Sequence, residues 1–251
     1  MANYNIYFSP TGGTKRVADV LANNILNEFI NVDLCNDINS MSFVSDDICI
    51  ISVPSYGGRI PDVATKRIKK LIGDNTRVIL NCVYGNREWD DTLTELQDVL
   101  EELGFICTSA VAIVAEHSIF RQFASGRPNN SDINELIHFS IKIKEKLASK
   151  NYNKLELPGN HIVYKTYNRP SLIPVANEKC ISCKLCAKHC PALAISNDNP
   201  KITNEKLCIG CMRCVNICPT HARDFDKQMM DEKAKLMEAK LGGYKKNFLF
   251  L

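Results

Sequence analysis

The stretch Asn3-Tyr4-Asn5-Ile6-Tyr7-Phe8, followed by Ser9-Pro10-Thr11-Gly12-Gly13-Thr14, decides the fold of the larger part of the chain. Its first six residues alternate and are rich in Tyr and Ile, the pattern of a strand. After the loop, Val17, Val20, Leu21, Ile25 and Phe29 recur at helical spacing. A strand, a loop of glycines and hydroxyls and a helix N-terminus make a phosphate site, because free backbone N–H groups and the helix dipole point at the anion. The loop lacks the Lys-Ser/Thr of a P-loop, and its glycines do not fit G-x-G-x-x-G. With no lysine in the loop, hydroxyls and backbone do the binding, which suits one terminal phosphate. Helix capping is the plainer role for Thr11 and Thr14.

Outward from this unit the strand–helix rhythm repeats. Strands are expected at Val32–Leu34, Asp47–Val53, Arg77–Val83 and Cys107–Val114. Helices are expected from Pro61 to Leu71, from Thr92 to Leu103 with Gly104 as the stop, and from Asp132 to Ser149. Five strands alternating with helices call for a doubly wound α/β domain with a parallel sheet, over residues 1–150. Ser9, Thr11, Gly12 and Thr14 read Ser-x-Thr-Gly-x-Thr, which resembles the phosphate loop of flavodoxins. The resemblance implies a flavodoxin-like five-stranded sheet in the order 2-1-3-4-5, with FMN at the switch point between the first and third strands. It also implies that the loops Pro54-Ser55-Tyr56-Gly57-Gly58 and Tyr84-Gly85-Asn86-Arg87-Glu88-Trp89-Asp90 close on the flavin ring. The cofactor residues expected are therefore Ser9, Thr11, Gly12, Gly13, Thr14, Pro54, Ser55, Tyr56, Gly57, Gly58, Tyr84, Gly85, Asn86 and Trp89. Tyr56 and Tyr84 stand ahead of Trp89 as stacking partners. FAD or NAD would need a dinucleotide fingerprint that this sequence lacks.

Eight of the twelve cysteines fall in two copies of one pattern. Cys180, Cys183, Cys186 and Cys190 read C-x2-C-x2-C-x3-C before Pro191; Cys208, Cys211, Cys214 and Cys218 read the same before Pro219. Structural zinc sites show C-x2-C pairs separated by a longer insert, and disulfides so tightly spaced would strain. Three cysteines in close register, twice, point to iron–sulfur clusters. Residues 176–225 resemble the bacterial two-cluster ferredoxins. That resemblance implies two [4Fe–4S] clusters with crossed ligation: Cys180, Cys183, Cys186 and Cys218 around one, and Cys208, Cys211, Cys214 and Cys190 around the other. The two copies are an internal repeat, with the clusters acting as much of the core of a module too small to bury one. His189 and His221 read as solvent-facing, not as ligands.

Between the modules, residues 151–175 carry Pro158, Pro170 and Pro174 and read as a semi-rigid connector, with His161–Tyr164 as a short extended strand. Residues 226–251 read as a last helix and tail. Met230, Ala234, Met237 and Leu241 form a stripe that packs on the chain's own core. A homodimer contact completed by Phe248–Leu251 is the alternative. The long connection from Ala115 to Ser131 is expected to pack Phe120 and Phe123 and leave its arginines solvated. In the competing reading it is a lid that brings His117, Arg121 or Arg127 to the flavin. Cys35, Cys49, Cys82 and Cys107 read as buried apolar residues.

A net charge of +3 with no basic–aromatic interleaving excludes a nucleic-acid surface. The longest apolar run, Ala110–Ala115, is far short of a membrane span. Thiolate ligands call for a reducing compartment, so a cytoplasmic protein is expected. The joint reading resembles flavodoxin–ferredoxin fusion proteins. It implies a relay of electrons between clusters and FMN, with a redox partner protein or a small molecule outside. An FMN-dependent reductase and a redox sensor are the rivals. A reductase would need an acid/base beside the flavin, and His117 and Tyr84 are its only candidates.

Overall fold

The computed structural model describes residues 2–150, 152–167 and 172–251; of the connector positions named above, Pro170 lies outside the described residues. The chain opens β1 (Asn3–Tyr7), α1 (Gly13–Ile25), β2 (Ile30–Asp33), β3 (Met41–Phe43), β4 (Ile48–Pro54), α2 (Asp62–Ile68) and β5 (Leu71–Gly73). It continues with β6 (Thr76–Tyr84), α3 (Thr92–Glu102), β7 (Phe105–Val114) and α4 (Asn130–Ser149). Strands β2, β1, β4, β6 and β7 lie side by side in that order, all parallel. Successive side chains on a strand point to opposite faces, and the central strands obey this closely. Ile50, Ile79, Val83, Val111 and Ile113 pack with α1 and α4 on one face. Ile51, Val53, Val78, Leu80 and Val114 pack with α2 and α3 on the other. Both faces are covered, so these strands read as continuous apolar runs.

Three boundaries differ from the sequence reading. The helix expected to start at Pro61 takes Pro61 as its cap and stops at Ile68, because Leu71–Gly73 leaves to pair in parallel with β3. The sheet has six strands, not five: β10 (Phe248–Phe250) adds antiparallel to the β7 edge. The tail thus covers the chain's own exposed edge. Residues 161–163 bend rather than extend. They belong to a segment that is laid over α3. Leu155 and Leu157 are buried in the core, Gln97 Nε2 donates to the Leu155 carbonyl at 2.9 Å, and the Tyr164 hydroxyl donates to Asp98 at 2.5 Å.

The small module spans β8 (Val175–Ala176), α5 (Leu185–Lys188), α6 (Arg213–Asn216) and β9 (Arg223–Asp224). Its backbone repeats the sequence repeat. Lys184 and Met212, the residues before α5 and α6, share φ 62° and ψ 5°. Ala194 and Ala222 each donate their N–H to the sulfur four residues earlier, Cys190 and Cys218, at 3.3 and 3.2 Å. Arg223 is buried at the join. It donates to the Pro174 carbonyl at 3.1 Å, to Thr203 Oγ1 at 2.8 Å and to the Pro200 carbonyl. Helix α7 (Lys227–Leu241) follows, capped by Asp226, which accepts from the Met229 N–H at 2.8 Å. Its apolar stripe packs on Phe120, Phe123 and Leu172. Among the described residues no helix is long and apolar enough to cross a membrane.

Candidate functional site

A cavity of about 450 Å³ opens at the carboxyl ends of β1, β4, β6 and β7, where doubly wound sheets bind ligands. Its floor is the loop after β1. Gly12, with φ 94°, is the N-cap of α1 and brings no side chain to it. Ser9 Oγ accepts the Lys15 N–H at 2.9 Å, which fixes the loop from inside. Thr11, Gly13 and Thr14 face the cavity. The capping role is therefore not the one these threonines play, and their hydroxyls are left to the cavity. Pro54, Ser55, Tyr56 and Gly57 form one wall; Tyr84 and Gly85 form the next.

Five residues assigned to this site from sequence do not line the cavity. Ser9 holds the loop through Lys15, and Gly12 supplies the φ 94° turn before α1. Gly58 has φ 89°, and a Cβ there would collide with the Asp90 carboxylate, so it serves the packing of two loops. Asn86 is buried and donates to the Leu241 and Gly243 carbonyls. Trp89 is wedged between Tyr84 and Phe248, with ring centroids at 5.1 and 4.9 Å. Cys82 is likewise sealed in the core, as are Cys35, Cys49 and Cys107; burial pushes the Cys35 thiol up to about 12. Tyr84 lines the cavity, but its hydroxyl donates to the Lys246 carbonyl at 2.5 Å.

The long connection after β7 divides its residues. Phe120 and Phe123 pack under α7 as expected. Arg121 is exposed and pairs with Glu116 at 2.7 Å. Arg127 is not solvated: it is buried and forked onto Asp132, and it donates to the Lys245 carbonyl at 2.7 Å. His117 does reach the cavity. Its Nδ1 accepts the N–H groups of Ile119 and Phe120, both at 3.1 Å, so the ring proton of the neutral form sits on Nε2. Burial, with Arg87 adding to it, lowers its pKa from 6.5 to about 4.

The unfolded chain therefore binds a proton at this histidine between pH 6.5 and 4 that the folded chain refuses. Stability from this residue is intact above pH 6.5 and is lost as pH falls toward 4. About 2 kcal/mol should go between pH 7 and pH 5, and a His117→Asn variant should lose that step. Urea midpoints at the two pH values measure it; equal slopes in both proteins would refute the assignment. Gly85 supports the same ring, because a Cβ there would stand 2.9 Å from His117 Cδ2 and 3.1 Å from its Cα. Gly85→Ala is expected to cost about 1–3 kcal/mol by overpacking, read by urea unfolding. An unchanged midpoint would mean that the loop yields freely.

Sequence reasoning missed the far side of the cavity: Tyr167, Leu172, Ile209, Gly210 and Met237. The α7 stripe was visible, but its partner was not. Ile209 and Gly210 come from the second cysteine run. They also line a smaller cavity together with Cys190, Cys208, Cys211 and Cys214. A third cavity is lined by Cys180, Cys183, Cys186 and Cys218. Among the described residues no three His, Cys, Asp or Glu side chains gather around one metal ion. Each of the two small cavities gathers three cysteines of one run and the fourth of the other.

Residues 179–223 match the 4Fe-4S dicluster domain family. No curated protein gives a significant match. Among solved structures, oxidised flavodoxin 1 from Bacillus cereus is similar at 15% identity over 58% of this chain and 98% of its own, with a TM-score of 0.42. A flavodoxin from Streptococcus pneumoniae TIGR4 is similar at 19% identity over 60% and 100%, TM-score 0.42. Rubredoxin oxygen:oxidoreductase from the anaerobe Desulfovibrio gigas follows at 14% over 59% and 37%, TM-score 0.37. The strand order and the cavity position of the N-terminal part are themselves those of a flavodoxin-like α/β fold. The C-terminal module is similar to 4Fe–4S dicluster domains.

Proposed function

We propose that the chain is an electron-transfer iron–sulfur flavoprotein that binds FMN in the large cavity and two [4Fe–4S] clusters at the four-cysteine sets. One observation carries this reading: the flavin-sized cavity and a four-cysteine cavity share the wall Ile209–Gly210. Two modules with unrelated folds meet where their cofactors would sit. Bound there, FMN can exchange one or two electrons while each cluster exchanges one. The chain's residues supply the rest. The Thr11–Thr14 turn would present backbone N–H groups and hydroxyls to a single phosphate, and Tyr56 lines the same cavity as Leu236, Met237 and Leu241 of α7. Burial keeps the Tyr56 hydroxyl protonated well past its usual range, so it adds no charge to the flavin site. The outer contact is a redox partner protein or a small electron acceptor.

A reductase acting at the flavin stands second. Of its two acid/base candidates, Tyr84 has its hydroxyl committed to the Lys246 carbonyl, which leaves His117 with its Nε2 proton. Anaerobic purification with iron, sulfide and flavin counts tests the proposal. Iron and sulfide in equal amounts, with one FMN per chain, are expected. Zinc in place of iron, or a colourless protein that takes up no flavin on reconstitution, would refute it.

A further inference from the structure

The two cysteine runs are near copies in sequence and backbone, yet the fold treats them unequally. Ile181 and Ile209 hold the same place in the two runs, and they are 66% and 2% exposed. Ile209 and Cys211 are built into the core of the flavodoxin-like domain, with Ala192 packed against it. Arg67 of α2 fastens the same side, donating to the Leu34 carbonyl at 2.7 Å and to the Pro191 carbonyl at 2.8 Å. The cavity of Cys190, Cys208, Cys211 and Cys214 shares Ile209 and Gly210 with the large cavity, whereas that of Cys180, Cys183, Cys186 and Cys218 shares no lining residue with it. On the outer site Cys183 is exposed. Between the two sites, Cys186 packs with Cys190 and Cys214.

We infer that the relay has a fixed order: the second-run site exchanges electrons with the flavin across Ile209–Gly210, and the first-run site is the port to the outside. This rests on the cofactors proposed above. One electron from a one-electron donor, dithionite in the test below, reduces the outer cluster. That electron passes to the inner cluster, re-oxidising the outer one, and then to the flavin, re-oxidising the inner one. Two such passages, with protons taken from solvent, reduce the flavin fully. Ile209 and Gly210 act as positioning residues, since they set the separation across which the transfer occurs.

The test reads spin relaxation, not turnover. In the whole protein, partly reduced with dithionite under anaerobic conditions, a nearby cluster speeds the relaxation of the flavin's EPR signal. Cys214→Ala is expected to return that signal to the slow relaxation of an isolated flavin. Cys183→Ala is expected to leave it fast. The reverse pattern, or equal effects, overturns the order. Where Cys214→Ala does not fold, wild-type protein treated with an iron chelator until half its iron is gone answers the same question. The exposed outer cluster should be stripped first, and the flavin signal should stay fast; a slow signal at that point overturns the inference. A protein that holds flavin and all its iron but fails these tests refutes the order alone. One that holds neither cofactor refutes the reading beneath it.

Discussion

Cys190→Ala is expected to destroy the cluster held by the other run and to spare the cluster of its own. The reason is positional. After α5 the chain turns at Cys190-Pro191, and the Cys190 sulfur faces Cys208, Cys211 and Cys214, where it accepts the Ala194 N–H. Cys218 does the reciprocal thing for Cys180, Cys183 and Cys186. A three-cysteine loop reaches a cubane from one side, so the fourth thiolate must come from elsewhere in the chain. Paired substitutions make the prediction decisive. Cys190→Ala with Cys214→Ala should lose no more iron than either alone, because both serve one site. Cys190→Ala with Cys183→Ala should lose essentially all of it. Iron and sulfide counts on anaerobically purified proteins read the outcome, and the opposite pairing of losses would sink crossed ligation. Cluster binding is also folding energy for so small a module, so the second pair should cost much of its order as well.

How much of this was legible beforehand differs from place to place, for physical reasons. The Ser9–Thr14 loop was legible because its chemistry is local: a strand, glycines that permit φ 94° at Gly12, and a helix start lie within twelve residues. The cysteine runs were legible because cluster geometry dictates spacing. The unequal fate of Ile181 and Ile209 was not, since closely similar local sequences can be solvent-facing or docked, and only tertiary packing decides. Trp89 and Asn86 misled for the same reason. Their loop sits beside the flavin cavity, yet one residue fills a gap under Phe248 and the other ties down the end of α7. Arg127 read as a solvated loop cation because its carboxylate partner, Asp132, looked like an ordinary helix-start residue. In the structure Asp132 does serve the cap, accepting the Asn129 N–H at 2.8 Å, and it holds the guanidinium as well.

Ending the chain at Gly243 should cost roughly 5 kcal/mol, on the scale of a whole domain's stability of about 5–15 kcal/mol. The eight residues removed look like a dispensable tail, but buried groups depend on them. Asn247 is buried; its Oδ1 accepts the Val114 N–H at 2.9 Å, and its Nδ2 donates to Asp132 at 3.0 Å and Glu135 at 2.6 Å. The Lys246 carbonyl takes the Tyr84 hydroxyl. The Lys245 carbonyl takes Arg127, whose guanidinium also lies 4.6 Å over the Tyr244 ring. Each buried donor left unpaired costs about 1–3 kcal/mol, and loss of β10 opens the β7 edge to other chains. The expected result is a protein that is largely insoluble or has a sharply lowered urea midpoint, and that retains flavin poorly because Tyr84 and the end of α7 line its cavity. Asn247→Leu separates the two contributions. It keeps the edge strand but strands the Val114 N–H, so it should lower stability by about 1–3 kcal/mol while leaving the protein soluble. A truncated protein with the wild-type midpoint would show that the tail merely rests on the sheet. The arrangement also ties the last strand to the cofactor site. The segment that closes the sheet edge anchors the wall residue Tyr84, so stability of the edge and retention of the flavin should fall together across these variants.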